Sequence, residues 1–182
     1  MLCSLPIYYV HVKRVRPNEC HYSNHAVTLA DTILREQLWR IPIAVERTSL
    51  AVMDGHHRLE AARRLKLKYI PCLLLDYDCV KVDATRQGYL VNPHEIVRRA
   101  RTGELYPPKT THHRFSSPFP ICNISVPLLQ DPDVMSSLPA STRFMAHYET
   151  SMPVVTDEQH PAPDLMWGVN SGLSRGSRHH EN

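Results

Sequence analysis

Residues 50–77, LAVMDGHHRLEAARRLKLKYIPCLLLDY, change backbone period twice and so commit the chain to mixed structure. Leu50–Met53 is a short apolar run that ends at Asp54-Gly55. From His57 to Leu65 the apolar positions Leu59, Ala62 and Leu65 recur at helical spacing, while Arg58, Arg63 and Arg64 occupy other faces. Ile70–Leu75 is then uninterrupted and apolar, the pattern of a strand buried on both faces. The succession predicts an α/β chain (α+β mixed), with a small mixed sheet and flanking helices.

The flanking segments agree. Leu5–Val12 reads as a strand, and Asn24–Glu36 as a helix with Val27, Ala30 and Leu34 inward and Ser23 or Asn24 as its cap. Ile41–Val45 pairs with Leu50–Met53 across Arg47-Thr48-Ser49, and Val80–Val82 reads as a short edge strand. Pro93 opens a helix through Thr102 and Gly103 stops it. No sustained periodicity follows Leu129, so one domain is expected over residues 1–130 and a poorly ordered tail over 131–182, with one short helix near Ser141–Tyr148.

At 182 residues the chain has room for one domain with a real core, and 42% hydrophobic with 21% charged residues excludes wholesale disorder. No run reaches the roughly 20 apolar residues of a membrane helix, and no leader pattern opens the chain. A soluble, cytoplasmic protein with no membrane contact is expected. The net charge of +3 is unevenly spread: residues 131–182 hold three Arg and seven acids, which leaves +7 on residues 1–130. A body that basic favours an anionic ligand such as a nucleotide, a phosphorylated metabolite or nucleic acid. The five cysteines never form a CxxC pair, which favours buried thiols over a disulfide framework or zinc site.

Asp54-Gly55-His56-His57-Arg58 carries the most chemistry. It lies where a strand meets a helix N-terminus, so free backbone N–H groups and the positive end of the helix dipole converge on an anion site. Gly55 permits close backbone approach, Arg58 offers a fork for phosphate oxygens, and His56 and His57 add short donors. Asp54 beside such a cradle suits phosphoryl transfer. The plainer alternative is a cap and surface ion pair between Asp54 and Arg58, with solvated histidines.

VMDGHHRLEAARRLKLKYIPCLLLDY resembles the signature segment of the ParB/sulfiredoxin-like superfamily and, more narrowly, the free L-serine kinases with their DGHHR motif. Val15-Arg16-Pro17-Asn18-Glu19 stands where those kinases carry an acidic residue, and Pro107-Pro108-Lys109-Thr110-Thr111-His112-His113-Arg114-Phe115 is similar to their PPKTT-basic-His segment. The resemblance spans residues 5–130. It implies transfer of a phosphoryl group from ATP or ADP, with magnesium, to the hydroxyl of free L-serine. On it, Gly55, His56, His57 and Arg58 cradle the nucleotide phosphates, Asp54 faces the serine hydroxyl and Glu19 is the base. Lys109, Thr110, Thr111 and His113 hold the amino acid, with Arg114 supplying a guanidinium from a shifted position. The chain departs from the pattern at His112, where Arg is common, and at Asp83-Ala84-Thr85-Arg86, where many relatives carry Trp.

Two other chemistries compete. A ParB-like nucleotide-dependent DNA-binding or sensor role suits the basic charge, but no paired amphipathic helices follow residue 130 to read a groove, so a DNA partner is not expected. A sulfiredoxin-like reductase needs a cysteine where this chain has His56.

Overall fold

A computed structural model of the chain describes residues 6–131 and Asp133. The elements run β1 (Tyr8–His11), α1 (Ser23–Glu36), β2 (Leu38–Trp39), β3 (Ile43–Glu46), β4 (Val52–Asp54), α2 (His56–Arg64), β5 (Tyr69–Leu75), β6 (Lys81–Ala84), α3 (Pro93–Thr102), β7 (Thr111–Arg114), β8 (Ile124–Ser125) and α4 (Val126–Gln130). Of the expected tail over 131–182 only Asp131 and Asp133 are described; its helix near Ser141–Tyr148 and the fifth cysteine, Cys3, lie outside the described residues.

The main sheet has strand order β1-β5-β3-β4. β5 is antiparallel to β1, with Tyr8 opposite Cys72, and parallel to β3, with Ile43 opposite Cys72. β3 and β4 form the expected hairpin, irregular between Ala44 and Val45. Central position explains why β5 is buried from Ile70 to Leu74. Alternation along β3 divides the two faces: Ile43 and Val45 join the larger core with Leu59 and Ala62 of α2, while Ala44 packs with Met53 and Val80.

α1 and α2 pack on each other. The buried stripe of α1 is Ala26, Ala30 and Ile33, whereas Val27 and Leu34 are 40% and 51% exposed. The sequence pattern therefore placed the inward face one residue off. Small alanines on this stripe suit the packing of α1 on α2, whose own buried residues include Ala61 and Ala62. Asn92 caps α3 by accepting from the Glu95 N–H at 2.8 Å, and Gly103 ends it in the left-handed region, φ +77°.

Four elements escaped the sequence pattern: the two-residue strands β2 and β8, which pair with each other, β7, which pairs antiparallel with β6, and the short helix α4. β7 is the segment THHR, which has no apolar residue to mark a strand. Among the described cysteines Cys72 is buried, but Cys20 and Cys79 are exposed, so the expectation of uniformly buried thiols is corrected. No helix among the described residues is long and apolar enough to cross a membrane.

Candidate active site

The β4–α2 junction turns on Gly55, whose φ of +111° and ψ of 26° make it the cap residue of α2. No side chain caps this helix, so its first-turn N–H groups stay free for an outside acceptor. Arg58 folds back from the first turn, and its Nη2 donates to Asp54 Oδ2 at 2.5 Å. The ion pair of the plainer reading is realised, but not its cap or its solvated histidines. Asp54 is half exposed, so the bond is worth at most about 1 kcal/mol. Arg58 Nε, in contrast, is buried without a hydrogen-bond partner among the described residues. An unsatisfied buried guanidinium N–H beside free helix N–H groups is what an incoming phosphate oxygen would satisfy.

The two histidines are acceptors through Nε2. His56 Nε2 takes the Asn18 N–H at 3.5 Å, a long bond, and His57 Nε2 takes the Tyr22 N–H at 3.1 Å. Both rings are thereby neutral, with Nδ1–H left to donate. Burial, with repulsion from His113, His57, His21 and Arg63, pushes His56 down to about 3. Burial and the nearby His25 and His21 also lower His57. His113 is pushed down to about 4, again by burial first, with Asp54 opposing and His112 adding.

These shifts predict acid sensitivity. Above pH 6.5 the imidazoles are neutral in both folded and unfolded chains and contribute no slope. Below it the unfolded chain takes up protons that His56 and His113 refuse while folded, so stability falls with pH, by up to about 1.4 kcal/mol per pH unit for each group. The urea midpoint is expected to drop between pH 7 and pH 5, and His113→Gln to flatten that drop. A midpoint constant over this range would contradict it.

Glu19 is 8% exposed and held from the other side of the cleft's chain trace. Its Oε1 accepts the Lys109 N–H at 2.6 Å. Its Oε2 accepts the Thr110 N–H at 3.0 Å, the Thr111 N–H at 2.8 Å and the Thr111 hydroxyl at 2.9 Å. Lys109 sits at φ +55°, and this left-handed residue turns successive N–H groups toward one point. The arrangement fixes the carboxylate's orientation and leaves Oε1 the oxygen with capacity for a further proton.

A cleft of about 670 Å³ joins these parts. Of the residues singled out from sequence, Glu19, Asp54, Gly55, His56, His57, Arg58, Lys109 and Thr111 line it. Thr110, His113 and Arg114 do not. The Thr110 hydroxyl is buried and donates to the Pro107 carbonyl at 2.8 Å. His113 Nε2 lies 3.0 Å from the Tyr77 hydroxyl, whose pKa burial pushes up, so the phenol donates to the neutral ring. Arg114 pairs with Asp83 at 2.6 Å, both more than half exposed. His113 instead lines a second hollow of about 570 Å³ with Phe115 and Phe119, which shares Met53, Asp54, Thr111 and His112 with the first. Thr85, Arg86 and His112 also line the main cleft and were not singled out as ligands from sequence. The β6–β7 pairing puts Ala84 opposite Thr111 and so carries Thr85 and Arg86 to the cleft, a non-local placement with no signature in the local pattern.

No protein-family profile matches the chain. Solved structures match through its fold: a free serine kinase in complex with AMP aligns with a TM-score of 0.64 at 12% identity, over 69% of this chain and 94% of that one. The chain has that kinase's fold. A variant of the same enzyme in complex with ADP gives a TM-score of 0.63. A C-terminally truncated SbnI from Staphylococcus aureus also gives 0.63, at 14% identity over 71% of this chain and 92% of that one. A ParB-like protein from Sulfolobus acidocaldarius is 33% identical over 66 residues, a match spanning 36% of this chain and about a third of that protein's length. The expected mixed α/β architecture, with a small mixed sheet and flanking helices, is therefore the observed one.

Proposed function

We propose that the chain is a kinase that transfers a phosphoryl group from ATP or ADP to the hydroxyl of free L-serine, giving O-phospho-L-serine. The observation that carries this reading is one cleft lined both by an uncapped helix N-terminus with Gly55 and Arg58 and by the buried, four-times hydrogen-bonded carboxylate of Glu19. The likeness to free serine kinase structures holding AMP and ADP supports it.

The α2 N–H groups, His56, His57 and Arg58 bind and orient the nucleotide phosphates. Glu19 Oε1 accepts the proton of the acceptor hydroxyl as its oxygen bonds to the terminal phosphorus. The bond from that phosphorus to the bridging oxygen breaks, and the leaving group is ADP from ATP or AMP from ADP. Lys109 and Thr111 stand next to Glu19 and help hold the amino acid, while Thr110, His113 and Arg114 support the same segment through Pro107, Tyr77 and Asp83. Magnesium fits through Asp54: the carboxylate is half exposed, only Oδ2 is engaged by Arg58, and this ion commonly takes one or two carboxylates with phosphate oxygens and waters. Bound there with the nucleotide, it would supply charge neutralisation at the phosphate oxygens. Glu19, held by four donors from residues 109–111 with Oε1 left for the acceptor proton, is not assigned to hold it.

Arg58→Ala is expected to weaken ADP binding about 10–100-fold by calorimetry, the worth of a desolvated charge-assisted fork. Unchanged affinity would remove Arg58 from the phosphate site. A nucleotide-dependent, ParB-like regulatory role is the second reading, favoured by the ParB-like match. It predicts duplex DNA binding that nucleotide alters, without acceptor-dependent nucleotide consumption.

A further inference from the structure

We propose that Arg86 binds the carboxylate of the acceptor and so sets its class: small hydroxy acids enter and the matching neutral alcohols and amides do not. The proposal deepens the kinase reading and rests on it.

Arg86 lines the cleft without a carboxylate partner among the described residues. Arg47, Arg58, Arg98, Arg99 and Arg114 each have one. Its place is nevertheless fixed. Nε donates to the Pro108 carbonyl at 3.1 Å, the Thr85 N–H to the Thr110 carbonyl at 2.9 Å, and the Thr85 hydroxyl to the Lys109 carbonyl at 2.5 Å. The same segment holds Glu19 through the Lys109 N–H. Guanidinium and base are thus both tied to residues 108–111 and line the same cleft, so one ligand in that cleft can offer an anionic group to the first and a hydroxyl to the second.

Two chemical facts select a carboxylate. With Nε engaged, the two Nη groups remain, a planar edge that matches two carboxylate oxygens side by side. Phosphate has its own cradle at the β4–α2 junction, where Arg58 Nε is the buried unsatisfied donor. Lys109 is less suited to the task, because its ammonium lies 5.7 Å over the Tyr22 ring.

The test uses the full chain labelled with 15N and saturated with AMP, which is not a donor in the proposed reaction. The Arg86 Nε–H signal, identified by its loss in Arg86→Lys, is followed while L-serine, glycerate or L-serinamide is added. The signal is expected to move with the two acids and not with the amide. Arg86→Gln is expected to weaken L-serine binding at least about 30-fold while ADP affinity changes less than about twofold, and Arg86→Lys to recover part of the loss. A signal indifferent to carboxylates, or an Arg86→Gln chain that loses ADP as much as acid, overturns the assignment; the second result would give Arg86 to the nucleotide. Failure of the kinase reading shows separately, as no phosphomonoester from wild-type protein with L-serine. Arg86 would still be the carboxylate reader if the acids moved its signal.

Discussion

Glu19→Gln is expected to lower turnover by about 10²–10⁴-fold, the range of a lost general base, with little loss of fold. Three of the four donors to Glu19 converge on Oε2, and an amide oxygen placed there would keep all three. The amide nitrogen would then stand at the Oε1 position, facing the Lys109 N–H donor-to-donor at the atom assigned to take the proton. Glu19→Ala differs. It strips the acceptor from three backbone N–H groups and the Thr111 hydroxyl, and is expected to cost about 2–4 kcal/mol of stability as well as turnover. Measuring kcat and the urea midpoint in both variants separates the two roles. A Glu19→Gln enzyme with wild-type kcat would leave the carboxylate only as a fastener for residues 109–111.

Gly55→Ala is expected to damage fold and site together. The residue would have to hold φ of +111°, and its Cβ would stand 3.0 Å from Arg58 Nε and Nη2 and 3.1 Å from Ile43 Cγ1. Ile43 belongs to the core strand and has little room to give, so Arg58 must move and the phosphate fork is lost. The expected result is a loss of about 1–3 kcal/mol in stability and at least about tenfold in ADP affinity. Gly103→Ala is the control. That glycine is also left-handed, at φ +77°, but nothing lies within 4 Å of a Cβ there. It should lose about 1 kcal/mol and leave ADP affinity unchanged. Equal affinity loss in both would make the Gly55 effect a general weakening of the fold.

The two halves of the cleft differ in how far the amino-acid pattern announces them. Asp54 to Arg58 are contiguous, and a strand, a glycine and an amphipathic helix in succession already specify the bend and its free N–H groups. Glu19 is a lone acid in a polar loop, singled out by resemblance to a family motif, and its donors lie some ninety residues further on. Nothing local to either segment announces that contact. The donors themselves depend on Lys109 adopting a left-handed conformation, a feature that a glycine would have advertised and a lysine conceals. Arg86 is hidden for a similar reason, since pairing between two short polar strands brings it to the cleft. The misplaced face of α1 has another origin: hydrophobicity ranks Val27 and Leu34 above Ala26, but helix approach rewards the smaller side chain.

The central claim is phosphoryl transfer to a free hydroxy amino acid, and phosphorus NMR on the full chain tests it most directly. Protein, magnesium and L-serine are incubated with ATP or with ADP, alongside tubes lacking serine. The account predicts a serine-dependent phosphomonoester resonance, with AMP accumulating if ADP is the donor and ADP if ATP is, and no such resonance from the Glu19→Gln chain. Nucleotide left intact in every tube, by protein that binds ADP, would contradict the kinase account and leave the cleft as a nucleotide-responsive binding site.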